Sequence, residues 1–355
     1  TTTGRYIDKL VEYLSKLKPG YDVIVLAKTH RVDYLQHLAP NFTVVKSDYK
    51  EFSFGEQLGL WRQLRGLKPD LVHFGMTQQP VLYRGRAVTT IHDLTTIRFN
   101  NPAKFWPVFK FKQQIYKLVI KRVAKKSQYV ITPSLFVKND VARYTKVNPN
   151  KIVVTYEAAD RISSAPKVVP RLKDKQFIMY VGRSLPHKNL ERLVQAYGLI
   201  RSRHPGLMLV LVGKTDSNYR RIEALVSDKR MADSVVFTDF ISEGELRWLY
   251  ENTSAYVFPS LSEGFGLPPL EAMMHGAPVL SSNATCLPEI NGKAAVYFNP
   301  RSINDMARKI DKVLADKVLR DAMASRGRAQ AVKYSWRRMA QQTLKIYDQA
   351  LNKNT

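Results

Sequence analysis

The fold is decided by the stretch Ser262-Glu263-Gly264-Phe265-Gly266-Leu267-Pro268-Pro269-Leu270-Glu271. Immediately before it, the apolar run 255–258 predicts a short buried strand, which Pro259 closes because proline cannot donate to a ladder. Immediately after it, the apolar residues up to position 274 predict a helix that ends at Gly276. A strand, a glycine-containing loop and a helix N-terminus together favour an anion site, because unpaired N–H groups point outward there. The stretch therefore predicts a ligand-binding unit of an α/β sheet, with Glu263 in its loop and Glu271 in its helix.

A second unit of the same kind begins at residue 177. An apolar run over 177–181 predicts a strand, residues 182–189 a loop, and residues 190–200 a helix. Arg183 and Lys188 are two cations five positions apart in that loop. The arginine fork and the lysine point charge suit the oxygens of a diphosphate. This loop is therefore predicted to bind a diphosphate.

Together the two units resemble the signature of the retaining glycosyltransferases of family 4, which include glycogen synthases and bacterial mannosyltransferases. The resemblance covers nearly the whole chain. It implies the GT-B architecture, an α/β fold in which two Rossmann-like, doubly wound parallel-sheet domains face each other across a cleft. It also implies roles for four side chains. Glu271 would hold the ribose hydroxyls, Glu263 the hydroxyls of the donor sugar, and Arg183 and Lys188 the leaving diphosphate.

The resemblance extends the donor site beyond these four side chains, through backbone groups near the nucleobase and amides of the glycine loop. The added residues are Gly182, Phe240, Ile241, Gly264, Phe265, Gly266 and Leu267. In the first half of the chain, His92 matches a histidine that faces the transferred sugar. Asp93 is interpreted as a structural cap. Gly4 matches a loop glycine beside the donor and acceptor, with a flexible terminus as the alternative.

Strand-like runs alternate with helical patterns through most of the chain, which predicts parallel, doubly wound sheets. These runs are 21–26, 42–45, 71–74, 87–91, 129–132, 152–155, 177–181, 207–212, 235–237, 255–258, 279–281 and 295–297. The Ser- and Pro-containing segment 161–174 is interpreted as a linker between domains 1–165 and 170–335. The resemblance implies that the helix in 336–355 returns to the first domain. It also implies a strand before residue 1, which we expect to be missing from this sequence.

Composition narrows the protein class. The length of 355 residues favours two domains, and the single cysteine, Cys286, excludes a disulfide framework and fits a reducing compartment. No signal peptide and no apolar run of membrane-spanning length are present, so we expect a soluble or peripheral protein. No P-loop motif, no D-x-D at a strand end and no His or Cys cluster occurs, so neither a metal nor another cofactor is expected.

The charge is the unusual feature of the composition. The net charge is +26, and residues 94–139 contain ten lysines and arginines but no acid. An aromatic apolar face with lysines opposite is typical of a helix lying in a membrane interface. This interpretation uses Phe105, Trp106, Lys110, Lys117 and Lys121, and predicts a cytoplasmic enzyme peripheral on the inner face of the plasma membrane. The alternatives are an ordinary domain helix with a solvated basic face, or recruitment of a soluble anionic polysaccharide.

Function follows from the motifs and the resemblance together. We expect retaining transfer of a hexose from a nucleotide-diphosphate sugar to a glycan or a lipid-linked acceptor. GDP-mannose is the first expectation for the donor and a UDP-hexose the second. The resemblance implies front-side attack, with Glu263 as a covalent nucleophile the lesser alternative. A nucleotide-sugar epimerase of the same fold and a polyanion- or nucleic-acid-binding protein remain alternatives, although no nucleic-acid recognition motif is present.

Overall fold

The structure of the protein is a computed structural model, and it describes residues 2–49, 53, 55–100 and 106–352. The chain forms two compact units. The first unit comprises Thr1–Ile97, Lys112–Glu157 and Ser335–Thr355, and the second comprises Arg98–Phe111 and Ala158–Tyr334. Each unit is an α/β domain with parallel strands, as the alternating pattern predicts.

The elements up to residue 157 follow the predicted alternation. The strands are β1 (Val23–Ala27), β2 (Phe42–Lys46), β3 (Val72–Phe74), β4 (Ala87–Thr90), β5 (Tyr129–Thr132) and β6 (Ile152–Val154). The helices are α1 (Thr2–Leu17), α2 (Thr29–Val32), α3 (Trp61–Leu67, preceded by a π-helical turn at Glu56–Leu60), α4 (Thr95–Arg98), α5 (Trp106–Lys126) and α6 (Leu135–Thr145).

The sheet β3-β4-β5-β6 carries helices on both faces, which makes it doubly wound. Alternate strand residues point to opposite faces. Val130 therefore packs in one cluster with Ile120 of α5, whereas Ile131 packs on the other face. There it meets Ile346 and Ala350 of the C-terminal helix α14 (Trp336–Asn352). Both β4 and β5 are buried along their whole length, as strands covered on two faces must be.

One expectation for the first unit is wrong. Helix α1 already begins at Thr2, so Gly4 lies in its first turn and not in a loop. Tyr6, Leu10 and Leu14 lie on one buried face of α1. This apolar face near the beginning of the chain favours a helical conformation there over a loop. The strands of this unit form two parallel sheets, because β1 and β2 pair only with each other among the described residues.

The second unit contains a single six-stranded parallel sheet in the order β12-β11-β10-β7-β8-β9. Its strands are β7 (Phe177–Val181), β8 (Met208–Val212), β9 (Val235–Phe237), β10 (Ala255–Phe258), β11 (Val279–Ser282) and β12 (Val296–Phe298). Its helices are α7 (Leu190–Ile200), α8 (Ser217–Asp228), α9 (Glu243–Asn252), α10 (Leu267–Met274), α11 (Leu287–Asn291), α12 (Ile303–Ala315) and α13 (Lys317–Ala331). The chain starts in the middle of the sheet with β7, builds outward to β9, and returns to the middle with β10.

Helix α5 differs from the prediction of one apolar face opposite a lysine face. Its core-facing side is formed by Gln113, Ile120, Val123 and Ala124, and Lys110 and Lys117 are half-buried. Its exposed side carries a second apolar stripe at helical spacing. The stripe consists of Val108, Phe111, Ile115 and Leu118, which are 49%, 68%, 46% and 69% exposed. Trp106 is 63% exposed at the start of the helix, and Phe105 lies outside the described residues.

None of the helices in the described ranges combines the length and the apolar composition that a bilayer-crossing helix requires.

Candidate active site

The two predicted ligand-binding loops emerge from neighbouring strands. Strands β7 and β10 pair in parallel, with Ala255 opposite Ile178. The chain runs from β7 toward one edge of the sheet and from β10 toward the other, so this pair is the topological switch point. In open α/β sheets the crevice outside the carboxyl ends of such a strand pair binds the ligand. The loop after β7 holds Arg183 and Lys188, and the loop after β10 holds Glu263.

Glycines keep the backbone at this edge closely packed. Gly182 has φ +145° and Gly213 has φ +159°. A Cβ atom at Gly213 would lie 2.2 Å from the Gly182 carbonyl oxygen, so only glycine fits there. The Tyr219 hydroxyl also donates to this carbonyl, at 2.7 Å. The prediction named Gly182 but missed Gly213, although a glycine directly after a buried strand was a usable signal.

The structure brings Lys188 and Glu263 together. The Lys188 Nζ lies 2.6 Å from the Glu263 Oε1 and 5.4 Å from the centroid of the Phe258 ring. The side chains of Lys188 and Glu263 are only 17% and 13% exposed. Each charge therefore acts as the counter-charge of the other at a site that water reaches poorly. A ligand that binds either group must therefore share or replace its present partner.

Arg183 is held differently from Lys188. Its side chain is 65% exposed, and one of its terminal nitrogens lies 3.8 Å from the Asp216 Oδ2. Asp216 also accepts hydrogen bonds from the backbone N–H groups of Asn218 and Tyr219, so it caps α8. A solvated ion pair at this distance is weak. Arg183 is therefore available to an anion that approaches the loop.

Asn189 ties the two loops together. Its side chain is buried and donates to the carbonyl oxygens of Pro259 and Pro300 at 3.0 and 2.7 Å. Its backbone has φ +63°, a conformation that asparagine tolerates better than most residues. The Leu261 N–H donates to the His187 carbonyl at 2.7 Å and adds a second link. The prediction missed Asn189, because its partners lie 70 and 111 positions away in the chain.

The backbone of Glu263 is braced by the segment after β11. The Glu263 N–H donates to the Thr285 Oγ1 at 3.1 Å, and the Cys286 thiol donates to the Glu263 carbonyl at 3.3 Å. Thr285 holds φ +54°, which is uncommon for a β-branched residue. Burial raises the pKa of the Cys286 thiol well above its usual value, so the thiol stays protonated and can donate. Neither residue was predicted.

The residues of the glycine loop pack into the protein. Gly266 has φ +92° and precedes α10, which begins at Leu267 with two prolines in its first turn. Phe265 and Leu267 are buried, and the Phe265 ring packs edge-on against Tyr334 with centroids 5.5 Å apart. Gly264 is buried as well, and Glu271 is half-buried about one turn inside α10.

The region predicted near the nucleobase presents an aromatic side chain to solvent. Phe240 is 79% exposed, and the Lys214 Nζ lies 5.9 Å from its ring centroid. The preceding residue, Asp239, has φ +53° and accepts a hydrogen bond from the Thr215 N–H at 2.9 Å. Ile241 is half-buried beside it. An exposed ring next to a cation is suited to stacking on a flat heterocycle.

In the first unit, His92 follows β4 and is 17% exposed. Its Nδ1 lies 3.2 Å from the Glu157 Oε1, and its Nε2 lies 3.0 Å from the Gly75 carbonyl oxygen. Burial alone would lower the pKa of His92, but the hydrogen bond and the charge of Glu157 raise it above the usual value. Asp93 accepts from the Thr95 N–H at 2.7 Å at the start of α4, as a structural cap would. Gly4 lies within α1.

No three His, Cys, Asp or Glu side chains in the described part of the chain lie close enough together to share a metal ion.

Comparison with known proteins gives matches over almost the whole chain. The profile described as "Glycosyltransferase Family 4" matches residues 3–161, and that described as "Glycosyl transferases group 1" matches residues 162–330. The O-antigen chain mannosyltransferase B of Escherichia coli is 31% identical over 274 residues, which cover 74% of this chain and 70% of that protein. The O-antigen chain mannosyltransferase RfbU of Salmonella typhimurium is 27% identical over 82% of this chain and 81% of that protein.

Solved structures share the fold. The crystal structure of HepE from Anabaena in complex with UDP and glucose has a TM-score of 0.74 to this protein. The match covers 97% of this chain and 95% of that one, at 17% identity.

Proposed function

Because this chain belongs to the family 4 glycosyltransferases, with the GT-B fold and relatives in surface-glycan assembly, we propose that it is a retaining, metal-independent mannosyltransferase. The donor in this proposal is GDP-mannose, with a UDP-hexose second. The acceptor is a glycan or a lipid-linked saccharide. The observation that carries the proposal is the Lys188–Glu263 pair at the switch point of the second sheet, beside Arg183.

The proposed roles follow from the environment of each side chain. Lys188 and Arg183 would offset the negative charge that grows on the leaving diphosphate, in a site where the donors are fixed before the reaction. Glu263 would accept hydrogen bonds from the hydroxyls of the donor sugar, and Glu271 from those of the ribose. The exposed Phe240 ring would lie against the nucleobase.

The proposal uses front-side attack and no covalent intermediate, with Glu263 as an acceptor of hydrogen bonds from the sugar and not as a nucleophile. The departing phosphate oxygen would instead take the proton of the acceptor hydroxyl. The configuration at the anomeric carbon is then retained without a glycosyl-enzyme.

The donor assignment rests on the relatives. Both curated relatives described above are mannosyltransferases of O-antigen chains, which favours GDP-mannose, whereas HepE was crystallised with UDP and glucose, which keeps a UDP-hexose second. Thermal-shift titration with GDP, UDP, ADP and dTDP separates these donors, because stabilisation grows with the logarithm of ligand concentration over Kd. We expect the largest shift with GDP. A larger thermal shift with UDP than with GDP would indicate that the donor is a UDP-hexose. No thermal shift with any of the four nucleotides would reject the proposed donor site.

The transfer itself is tested by following donor consumption and product configuration by NMR, with and without EDTA. We expect an α-linked product from GDP-mannose at equal rates in both conditions. An inverted product would reject retention. A loss of activity with EDTA that Mg²⁺ or Mn²⁺ restores would reject metal independence.

We further propose that the enzyme works while bound to an anionic membrane surface, through the exposed stripe of α5 (Val108, Phe111, Ile115 and Leu118). Further along the same helix, Arg122 and Lys125 are exposed, as is Lys112 beside the stripe. Apolar side chains that enter the interface next to cations are the pattern of a reversible membrane anchor. This location on the inner face of the plasma membrane would present a lipid-linked acceptor to the enzyme.

Vesicle cosedimentation tests the membrane proposal. We expect binding to anionic but not to zwitterionic vesicles, weakened by salt. Replacing Lys112, Arg122 and Lys125 by Glu should release the protein. The same change at Arg171, Lys173 and Lys175, which are also exposed, is the charge-matched control.

Phe111→Ser tests the apolar part of the anchor. It should weaken the salt-resistant binding, whereas Val318→Ser, at a 79% exposed valine of α13, should not. Absence of binding by the unchanged protein at low salt would reject the proposal. Equal loss of binding in the two basic triple variants would indicate a diffuse charge effect, as for a soluble polyanion.

A further inference from the structure

His92 lies between two hydrogen-bond acceptors from different strand ends. Gly75 follows β3, His92 follows β4, and Glu157 lies just beyond β6, so three strands of one parallel sheet bring these groups to its carboxyl edge. A carbonyl oxygen accepts only, so the Nε2 facing Gly75 must carry a proton. The contact between Nδ1 and the Glu157 Oε1 then holds a second proton. That proton sits either on the ring, as an imidazolium–carboxylate pair, or on the carboxyl group.

The surroundings favour the imidazolium–carboxylate pair. Glu157 is 1% exposed, and its Oε2 has no hydrogen-bond partner among the described residues. Desolvation of a carboxylate with so few hydrogen bonds is unfavourable unless a counter-charge lies beside it. His92 supplies that charge, and Asp93 next to it also favours the charged ring.

The other neighbours of His92 do not compete for this charge. The Tyr6 ring of α1 packs edge-on against His92 with centroids 4.9 Å apart, and its hydroxyl is hydrogen-bonded to Thr90. His73 of β3 is hydrogen-bonded to Thr90 and Tyr347, and burial together with the charge of His92 lowers the pKa of His73 to about 3. The environment therefore favours the neutral form of His73, whereas the contact with Glu157 favours the charged form of His92.

We propose that Glu157 is a positioning residue that fixes His92 in one orientation and in its doubly protonated form. The inference rests on the proposed function only for its kinetic consequence. A doubly protonated His92 with both N–H groups engaged cannot serve as a general base toward the acceptor. It acts instead as a fixed cation at the carboxyl edge of the first sheet, and stabilises charge there electrostatically.

The direct test observes the ring without any assay of activity. The sequence contains seven histidines, so ¹⁵N-histidine labelling with His92→Gln as the assignment control resolves His92 by NMR. We expect both ring nitrogens to be protonated at neutral pH, with a titration midpoint above that of a free histidine. In the isosteric Glu157→Gln variant the midpoint should fall by about one pH unit or more, since the counter-charge is removed. An unprotonated Nδ1 in the unchanged protein, or equal midpoints in both proteins, would overturn the proposal.

The kinetic test separates positioning from a structural role. For Glu157→Gln we expect the fall of kcat/KM at alkaline pH to begin at lower pH than in the unchanged enzyme. Glu56→Gln is the matched control, because Glu56 is a buried glutamate of the same unit that is hydrogen-bonded to Gln78. In Glu56→Gln, the pH at which kcat/KM begins to fall on the alkaline side should be unchanged. If Glu157→Gln lowers kcat/KM equally at all pH values and does not move the pH at which the alkaline fall begins, the role of Glu157 is structural only. Absence of any transferase activity would refute the proposed function but leave the NMR result decisive for Glu157.

Discussion

Removing the charge of Glu263 should tighten the binding of a bare nucleoside diphosphate, although it should slow the transfer reaction. In the structure, Lys188 is held by the Glu263 carboxylate at 2.6 Å. An incoming diphosphate must compete with this carboxylate for the lysine and also experiences its negative charge. The variant Glu263→Gln keeps the shape of the side chain, removes the negative charge, and weakens the hold on Lys188 because a neutral amide oxygen accepts a weaker hydrogen bond.

The size of the effect follows from the geometry of the pair. A hydrogen bond between charged groups contributes about 1.5–3 kcal/mol net, and the lower end applies because both side chains retain some exposure. Relief of about 1.5 kcal/mol corresponds to a decrease of about tenfold in the Kd for the diphosphate. Turnover should fall by about two orders of magnitude, because the donor sugar loses a preorganised acceptor.

Isothermal titration calorimetry with GDP and UDP measures the affinity. The control is Glu191→Gln on α7, whose exposed carboxylate lies 3.8 Å from Arg221, since it removes the same charge without touching Lys188. We expect the control to bind as the unchanged protein does. Weaker diphosphate binding by Glu263→Gln would refute the competition between carboxylate and diphosphate for Lys188. An equal gain of diphosphate affinity in both variants would show that the change in net charge, and not the contact with Lys188, causes the effect.

Three further predictions concern the diphosphate cations, Glu271 and the pair of His92 with Glu157. Arg183→Ala and Lys188→Ala should each lower turnover about 10²- to 10³-fold, and near-normal rates in both would reject the diphosphate role. Glu271→Ala should raise the KM for the donor more than it lowers kcat, because ribose contacts are made in ground and transition states alike, and an unchanged calorimetric affinity for GDP would reject that role. The pKa of His92 is raised in the folded protein, so its pair with Glu157 stabilises the fold. This stabilisation is complete below the unfolded-state pKa of about 6.5 and is lost as the pH rises through the folded-state pKa. Glu157→Gln should therefore lower the midpoint of thermal unfolding more at about pH 5.5 than at about pH 9, and an equal decrease at both would contradict the charged pair.

The strands were predictable because parallel sheets bury both faces of a strand and therefore use continuous apolar runs. The predicted bounds of β5, β7, β9 and β10 coincide with those of the structure, and those of the remaining strands differ by a residue or two at one or both ends. The strand–loop–helix order also placed Arg183, Lys188 and Glu263 in their loops. A local pattern is sufficient for features of this kind.

Pairings between distant residues were not predictable. His92 and Glu157 are 65 positions apart, and Lys188 and Glu263 are 75 apart, so no spacing rule relates them. The braces at Asn189 and Thr285 depend on unusual backbone angles that the residue type permits but does not require. Helix α5 shows a different limit. Periodicity identifies apolar positions around a helix, but not which of two apolar sides packs on the core.

The most direct test of the candidate active site is a crystal structure of the protein with bound GDP. We expect the diphosphate within hydrogen-bonding distance of the Lys188 Nζ and of the loop after β7, with the ribose hydroxyls on the Glu271 carboxylate. Binding of GDP away from the switch point of the second sheet, or in an orientation that leaves both Lys188 and Glu271 without contact to the nucleotide, would contradict the assignment.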